Sequence, residues 1–172
     1  MNVLCEKLIV EEIKTIDGKL KDLSELLIKT VEDGASIGFI SPMEEIDANN
    51  YFETVLGPDV ILLVAKASDK IVGTIQLHLS TKQNGSHRAE IAKLMTHPNY
   101  RRRGVGRMLM QHAEEIARNN GRSLLVLDTR EGDSSNLLYT SLGYIRAGRI
   151  PNYAKSPNGD LAATIYYYKE IK

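Results

Sequence analysis

The run Leu94-Met-Thr-His-Pro-Asn-Tyr-Arg-Arg-Arg-Gly-Val-Gly-Arg107 narrows the possible folds of this chain more than any other feature. Before it stands a strand-like stretch, about Ala89 to Thr96. After it, Val105, Met108, Leu109, His112, Ala113, Ile116 and Ala117 recur at helical spacing until Asn120-Gly121 stops the pattern. A strand that passes through a glycine loop into a long helix leaves the N–H groups of the first helical turn unpaired, at the positive end of the helix dipole. Such a junction attracts anions. Gly104 and Gly106 let the backbone turn sharply and approach a ligand closely. Arg101, Arg102, Arg103 and Arg107 add forked donors suited to phosphate oxygens. Two other phosphate loops do not fit: no Gly-Lys-Ser/Thr is present, and Leu109 stands where the dinucleotide fingerprint needs its third glycine.

The rest of the chain alternates strand and helix patterns. Leu8 to Ile13 reads as a strand. Leu20, Leu23, Leu26, Leu27, Ile28 and Val31 line one helix face, and Asp33-Gly34 ends it. Ser41-Pro42 is expected to open a second helix with Glu44 and Glu45 in its first turn. Val60 to Ala65 is a buried strand, Ser68-Asp69-Lys70 a turn, and Ile71 to Leu79 its hairpin partner, with Val72, Thr74, Gln76 and His78 expected on one face. Gln83 to Ser86 makes the next hairpin loop. Beyond the long helix come a strand at Ser123–Asp128, a helix at about Ser134–Ser141, a strand at Tyr144–Ile150 and a last strand at Ala162–Tyr168. The order β-α-α-β-β-β-α-β-α-β-β predicts an α/β fold, with a mixed sheet of six or seven strands and helices on both faces.

No repeat or linker divides the 172 residues, so one domain spanning 1–172 is expected. Twenty-two basic side chains balance twenty-two acidic ones, which argues against nucleic-acid or membrane surfaces as partners. No apolar run is long enough to cross a bilayer and no secretory leader is seen, so a cytoplasmic protein is expected. Cys5 is the lone cysteine and is read as inert. His78, His87, His97 and His112 are scattered without metal-site spacing, so no metal is expected.

Arg101-Arg-Arg-Gly104-Val-Gly106 resembles the Arg/Gln-x-x-Gly-x-Gly/Ala motif of the GNAT superfamily of N-acetyltransferases. Leu94-x-Thr96-x-Pro98 resembles that family's Leu-x-Val-x-Pro strand end, and Leu138-Tyr139-Thr-Ser-Leu142-Gly143-Tyr144 its Leu-Tyr-x-x-Leu-Gly-Phe/Tyr segment. The resemblance spans about residues 60–148 and implies a GNAT fold that uses acetyl-CoA as cosubstrate. Leu94, Met95, Thr96, Arg101 to Arg107, Val105 included, Ser135 and Tyr139 would then contact the coenzyme. A narrower likeness, through Asp33-Gly-Ala-Ser-Ile-Gly-Phe39, Lys93-Leu-Met, Leu127-Asp-Thr129 and Pro151-Asn-Tyr153, is to the tabtoxin-resistance proteins, which acetylate a small antibiotic-like metabolite. It implies a small-molecule amine as acceptor and places Asp33, Ser36, Phe39 and Tyr153 around it.

Acyl transfer to an amine requires a proton acceptor, because an amine of pKa near 10 is charged at neutral pH. It also requires a donor for the developing oxyanion and an acid for the departing thiolate. The resemblance makes Tyr139 the acid. Two carboxylates compete as base: Glu90, in register with the base of the histone acetyltransferase branch, and Asp128, at a strand's C-terminal end where open α/β sheets place ligands. A backbone N–H near Met95 or Thr96 is the expected oxyanion donor. An acyl-CoA-binding regulator without turnover, a protein lysine or N-terminal acetyltransferase, and a homodimer formed through a sheet edge all stay open on the sequence.

Overall fold

The computed structural model describes residues 6–172; Cys5 lies outside the described residues. The strands are β1 (Leu8–Ile13), β2 (Val60–Ala67), β3 (Lys70–Leu79), β4 (Arg88–Thr96), β5 (Leu124–Arg130), β6 (Ile145–Lys155) and β7 (Leu161–Glu170). The helices are α1 (Leu20–Glu32), α2 (Glu45–Glu53), α3 (Val105–Asn119) and α4 (Ser135–Ser141). All seven strands join one sheet in the order β1-β2-β3-β4-β5-β7-β6. The expected α/β architecture and element order are present, with seven strands rather than six. Every pairing is antiparallel except β4 with β5.

Each face of the sheet carries a separate core, because the inner strands alternate apolar residues to both sides. On one face Leu63, Ala65, Ile75, Leu77, Ile91, Leu125 and Leu127 pack under α3 and α4, against Leu109, Ala113 and Tyr139. On the other, Leu62, Val64 and Met95 pack under α1 and α2, against Leu23, Leu27, Ala48 and Phe52. The second helix pair covers the β1–β4 half of the sheet. Over β5 and β7 that face carries Val126, Asp128 and Tyr166, which alternate with the Leu125, Leu127, Ile165 and Tyr167 of the α3/α4 core.

Three expectations need correction. The second helix starts at Glu45, not at Pro42: Glu44 is an extended N-cap, and Met43 is drawn into the core beneath. Val72 does not share a face with Thr74, Gln76 and His78. A bulge opposite Ala65/Lys66 adds a residue to β3 and turns Val72 into the α3 core. The strand expected to end at Ile150 continues to Lys155 through Pro151, which an edge strand tolerates because its outward N–H side has no partner. The buried stripe of α3 also reaches Met110 and Glu114; the Glu114 carboxylate is accommodated because Lys169 donates to both its oxygens at 2.9 and 2.8 Å.

Candidate active site

The parallel pair at the centre of the sheet separates almost as soon as it forms. β4 and β5 are in register at Arg88–Leu124, Ala89–Leu125 and Glu90–Val126, and no further. Beyond Glu90 the two strands diverge, so residues 91–96 keep β3 as neighbour and face a wedge-shaped opening on the other side. A second bulge, where Lys93 and Leu94 of β4 answer Ile75 alone on β3, sits inside this segment and holds Lys93 at φ +53°. That left-handed conformation is rare for a residue with a long side chain.

The basic glycine loop closes the wide end of the wedge. Pro98–Tyr100 forms a single 3-10 turn, steadied by the Asn99 N–H donating to His97 Nδ1 at 3.2 Å. Arg102 (φ +63°) and Gly104 (φ +81°) then turn the backbone through left-handed conformations into α3. Among the described residues, no N–H from Arg102 through Arg107 donates to a protein acceptor. Successive N–H groups held this way, at the start of a helix, form an anion cradle. A Cβ on Gly106 would lie 3.3 Å from Leu138 Cδ2, so its glycine also lets α3 and α4 pack closely.

The arginines divide their work. Arg101 pairs with Asp33, Arg103 stacks over the Tyr100 ring at 5.0 Å, and Arg107 donates to Ser141 Oγ at 2.6 Å. Val105 is buried against Gly73, and Met95 is buried in the α1/α2 core, so at both positions only the backbone is offered to the wedge. Leu94 and Thr96 lie half-buried beside Gly106. Ser135 exchanges a hydrogen bond with Thr129 Oγ1 at 2.6 Å at the first turn of α4.

Tyr139 is buried, with its ring about 6 Å from those of Tyr144 (6.0 Å) and Tyr167 (5.9 Å). Burial, and next the negative charge of Asp128, push its phenol well above the ordinary tyrosine value. It therefore stays protonated throughout the physiological range. Asp128 lies half-buried on β5 and accepts from the Thr164 hydroxyl at 2.8 Å. Glu90 is exposed, opposite His78 on β3. His78 meets Gln76 Oε1 at 2.9 Å, and Gln76 donates to the Tyr51 hydroxyl at 2.7 Å. Burial lowers the His78 pKa first; Glu90 opposes the change and Lys93 reinforces it.

The residues assigned to the acceptor separate into two groups. Phe39 and Ser36 lie on the α1–α2 connection, which borders a cleft against Arg130, Lys155 and Pro157. Tyr153 reaches the same open face, sharing a hydrogen bond of 2.8 Å with Tyr166. Asp33 instead stands beside Arg101 at the anion loop. The sequence reading missed Lys93, whose ammonium donates to Ile37 O, lies 5.4 Å from the Phe39 ring and feels both Asp128 and Glu90. One signal for it exists: alternation puts position 93 on the core face with Ile91, where a lysine does not belong, and the bulge resolves that conflict. Among the described residues no three metal-ligating side chains cluster, and no helix is long and apolar enough to cross a membrane.

The chain and its fold resemble known proteins. The chain is 32% identical over 126 residues to an N-acetyltransferase, itself uncharacterized, from the hisH–hisA intergenic region of Azospirillum brasilense; the match covers 71% of this chain and 75% of that one. An N-acetyltransferase structure from Staphylococcus aureus Mu50 superposes with a TM-score of 0.82 at 14% identity, over 96% of this chain and 99% of the other. The structure of yncA from Salmonella typhimurium, solved with its cofactor acetyl-CoA, gives 0.80 at 15% identity over 96% and 95%. Residues 21–144 match the model of the acetyltransferase (GNAT) family, and the chain belongs to that family.

Proposed function

We propose that the chain transfers the acetyl group of acetyl-CoA to an amine of a small molecule. One observation carries the reading: β4 leaves β5 after Glu90 and runs on into a loop whose N–H groups from Arg102 through Arg107 have no protein acceptor among the described residues, while the Asp128 charge on β5 is felt by the buried Tyr139. The residues present suit the coenzyme. The loop offers backbone donors and arginines for a pyrophosphate, and the free side of 91–96 offers backbone groups to an extended amide-bearing arm.

Bound acetyl-CoA supplies an acetyl group activated as a thioester. The chain's own residues do the rest. Asp128, its carboxylate oriented by Thr164, takes the proton of the incoming amine, with Glu90 as the second carboxylate of the opening. A backbone N–H near Met95 or Thr96 faces the carbonyl oxygen as charge develops there. Tyr139, kept protonated by burial, gives its proton to the departing sulfur.

A compact acceptor fits better than a folded protein. Three cations tie the α1–α2 connection across this face: Arg101 through Asp33, Arg130 through Gly34 O at 2.9 Å, and Lys93 through Ile37 O. The likeness to the tabtoxin-resistance proteins supports an antibiotic-like metabolite within that class. The test is thiol release from acetyl-CoA against free amines and against lysine-bearing and N-terminal peptides. Turnover on free amines is expected; turnover on peptides alone would replace this reading with a protein acetyltransferase, and binding without any turnover would replace it with a regulator.

A further inference from the structure

Lys93 is out of place by every local rule. It sits at the bulge in β4, and it holds a left-handed backbone conformation although it is not glycine. Such a conformation is disfavoured for a residue with a side chain and persists where the surroundings over-determine it. The surroundings here are specific. Its carbonyl accepts from Thr74 Oγ1 at 3.5 Å, while its ammonium crosses to Ile37 O and sits over the Phe39 ring. Gly38, between those two contacts, has φ +92°, and a Cβ there would stand 2.8 Å from the Lys93 ammonium. A side chain at position 38 would thus be disfavoured by the backbone conformation and would also displace the Lys93 ammonium.

The Arg101–Asp33 tie is an exposed ion pair, which contributes little, and the Arg130 tie is an exposed hydrogen bond to the Gly34 carbonyl. The Lys93 tie is half-buried and stands beside the two carboxylates assigned to the chemistry, Glu90 on its own strand and Asp128 on β5; His78 on β3 and Tyr166 on β7 face the same charges. We propose that Lys93 is a positioning residue that straps the α1–α2 connection over the acceptor side of the wedge, placing Phe39 and Ser36 against the acceptor. The assignment of an acceptor to this opening rests on the function proposed above; the strap itself does not. Burial lowers the lysine's pKa, while Asp128 and Glu90 partly restore it. As pH rises through that lowered value, the strap loses its charge, its attraction to the carboxylates and its cation–π contact.

Wild type, Lys93→Met, Lys93→Arg and Gly38→Ala are compared. Hydrogen exchange of residues 34–44, expressed as protection relative to α3, reads the strap directly. Protection is expected to fall at least fivefold in Lys93→Met and Gly38→Ala and to be largely kept in Lys93→Arg. In wild type it should drop as pH rises through the lysine's lowered titration, and Lys93→Arg should lack that drop. Calorimetry with acetyl-CoA separates the two ideas: failure of the wild type to bind overturns the functional reading alone. Equal binding by all four, with thiol release from acetyl-CoA in the absence of amine rising severalfold in Lys93→Met, supports a strap that shields the acceptor side from water. Equal protection of 34–44 in wild type and Lys93→Met, or the same alkaline drop in Lys93→Arg, would overturn the strap.

Discussion

Tyr139 and Asp128 reach the wedge from opposite sides of the sheet, and their roles can be separated by substitution. Tyr139 is buried with its phenol pushed up by desolvation and by the Asp128 charge, so it is an acid that does not lose its proton near neutrality. Tyr139→Phe removes only the hydroxyl. It should lower kcat about 10²-fold, the lower end for general acid catalysis, and leave the acetyl-CoA dissociation constant within about twofold. Asp128→Asn should likewise lower kcat/KM for the amine while sparing coenzyme binding, and Glu90→Gln should do so less. Steady-state rates beside calorimetric titrations check all three; full activity in both Tyr139→Phe and Asp128→Asn would remove these residues from the chemistry. At this scale the positions of Gly104 and Gly106 at the entry to α3, of Asp128 on β5 and of Tyr139 on α4 follow from motif and pattern alone. Those of Lys93, Tyr166 and the Asp33–Arg101 pair do not, because each depends on a bulge or on a meeting of segments far apart in sequence.

The strand–loop–helix unit from β4 to α3 carries the proposed coenzyme site. Its strand and helix follow from local patterning, and the glycines mark the turn between them. What patterning could not supply is the divergence of β4 from β5, since that depends on which strands become neighbours and how far they run together. The bulges were hidden for the same reason: an extra residue shows itself only against its partner strand. The unit makes two predictions. Gly106→Val forces atoms into the space between α3 and Leu138, so it should cost about 1–3 kcal/mol of stability and weaken acetyl-CoA binding, seen in a denaturant titration and in calorimetry. Because the cradle pairs cationic side chains and N–H groups with an anion at the surface, raising ionic strength from about 0.05 to 0.5 M should weaken acetyl-CoA binding in wild type. An affinity indifferent to salt would place the anion elsewhere.

Across the whole molecule, one sheet serves two cores, one under α1 and α2 and the other under α3 and α4. A shared sheet couples them, so both should melt together. Phe52→Ala empties part of the first core and should cost about 3–5 kcal/mol. Lys169→Met removes both short bonds to the buried Glu114 carboxylate and leaves the longer 3.6 Å contact to Arg118, and a cost of about 3–5 kcal/mol is expected. Each substitution should lower the same single transition in scanning calorimetry. Two transitions, each answering to one of the substitutions, would mean that the halves fold independently.

The central claim is that the N–H groups of Arg102–Arg107 hold acetyl-CoA with its thioester in the wedge between β4 and β5. The most direct test is calorimetric titration of acetyl-CoA into wild type and into Gly104→Val, whose left-handed position (φ +81°) a β-branched residue strongly disfavours. Saturable one-to-one binding by wild type, weakened at least tenfold in a Gly104→Val protein that still melts cooperatively, is the predicted result. No binding by wild type, or equal binding by both proteins, would contradict it.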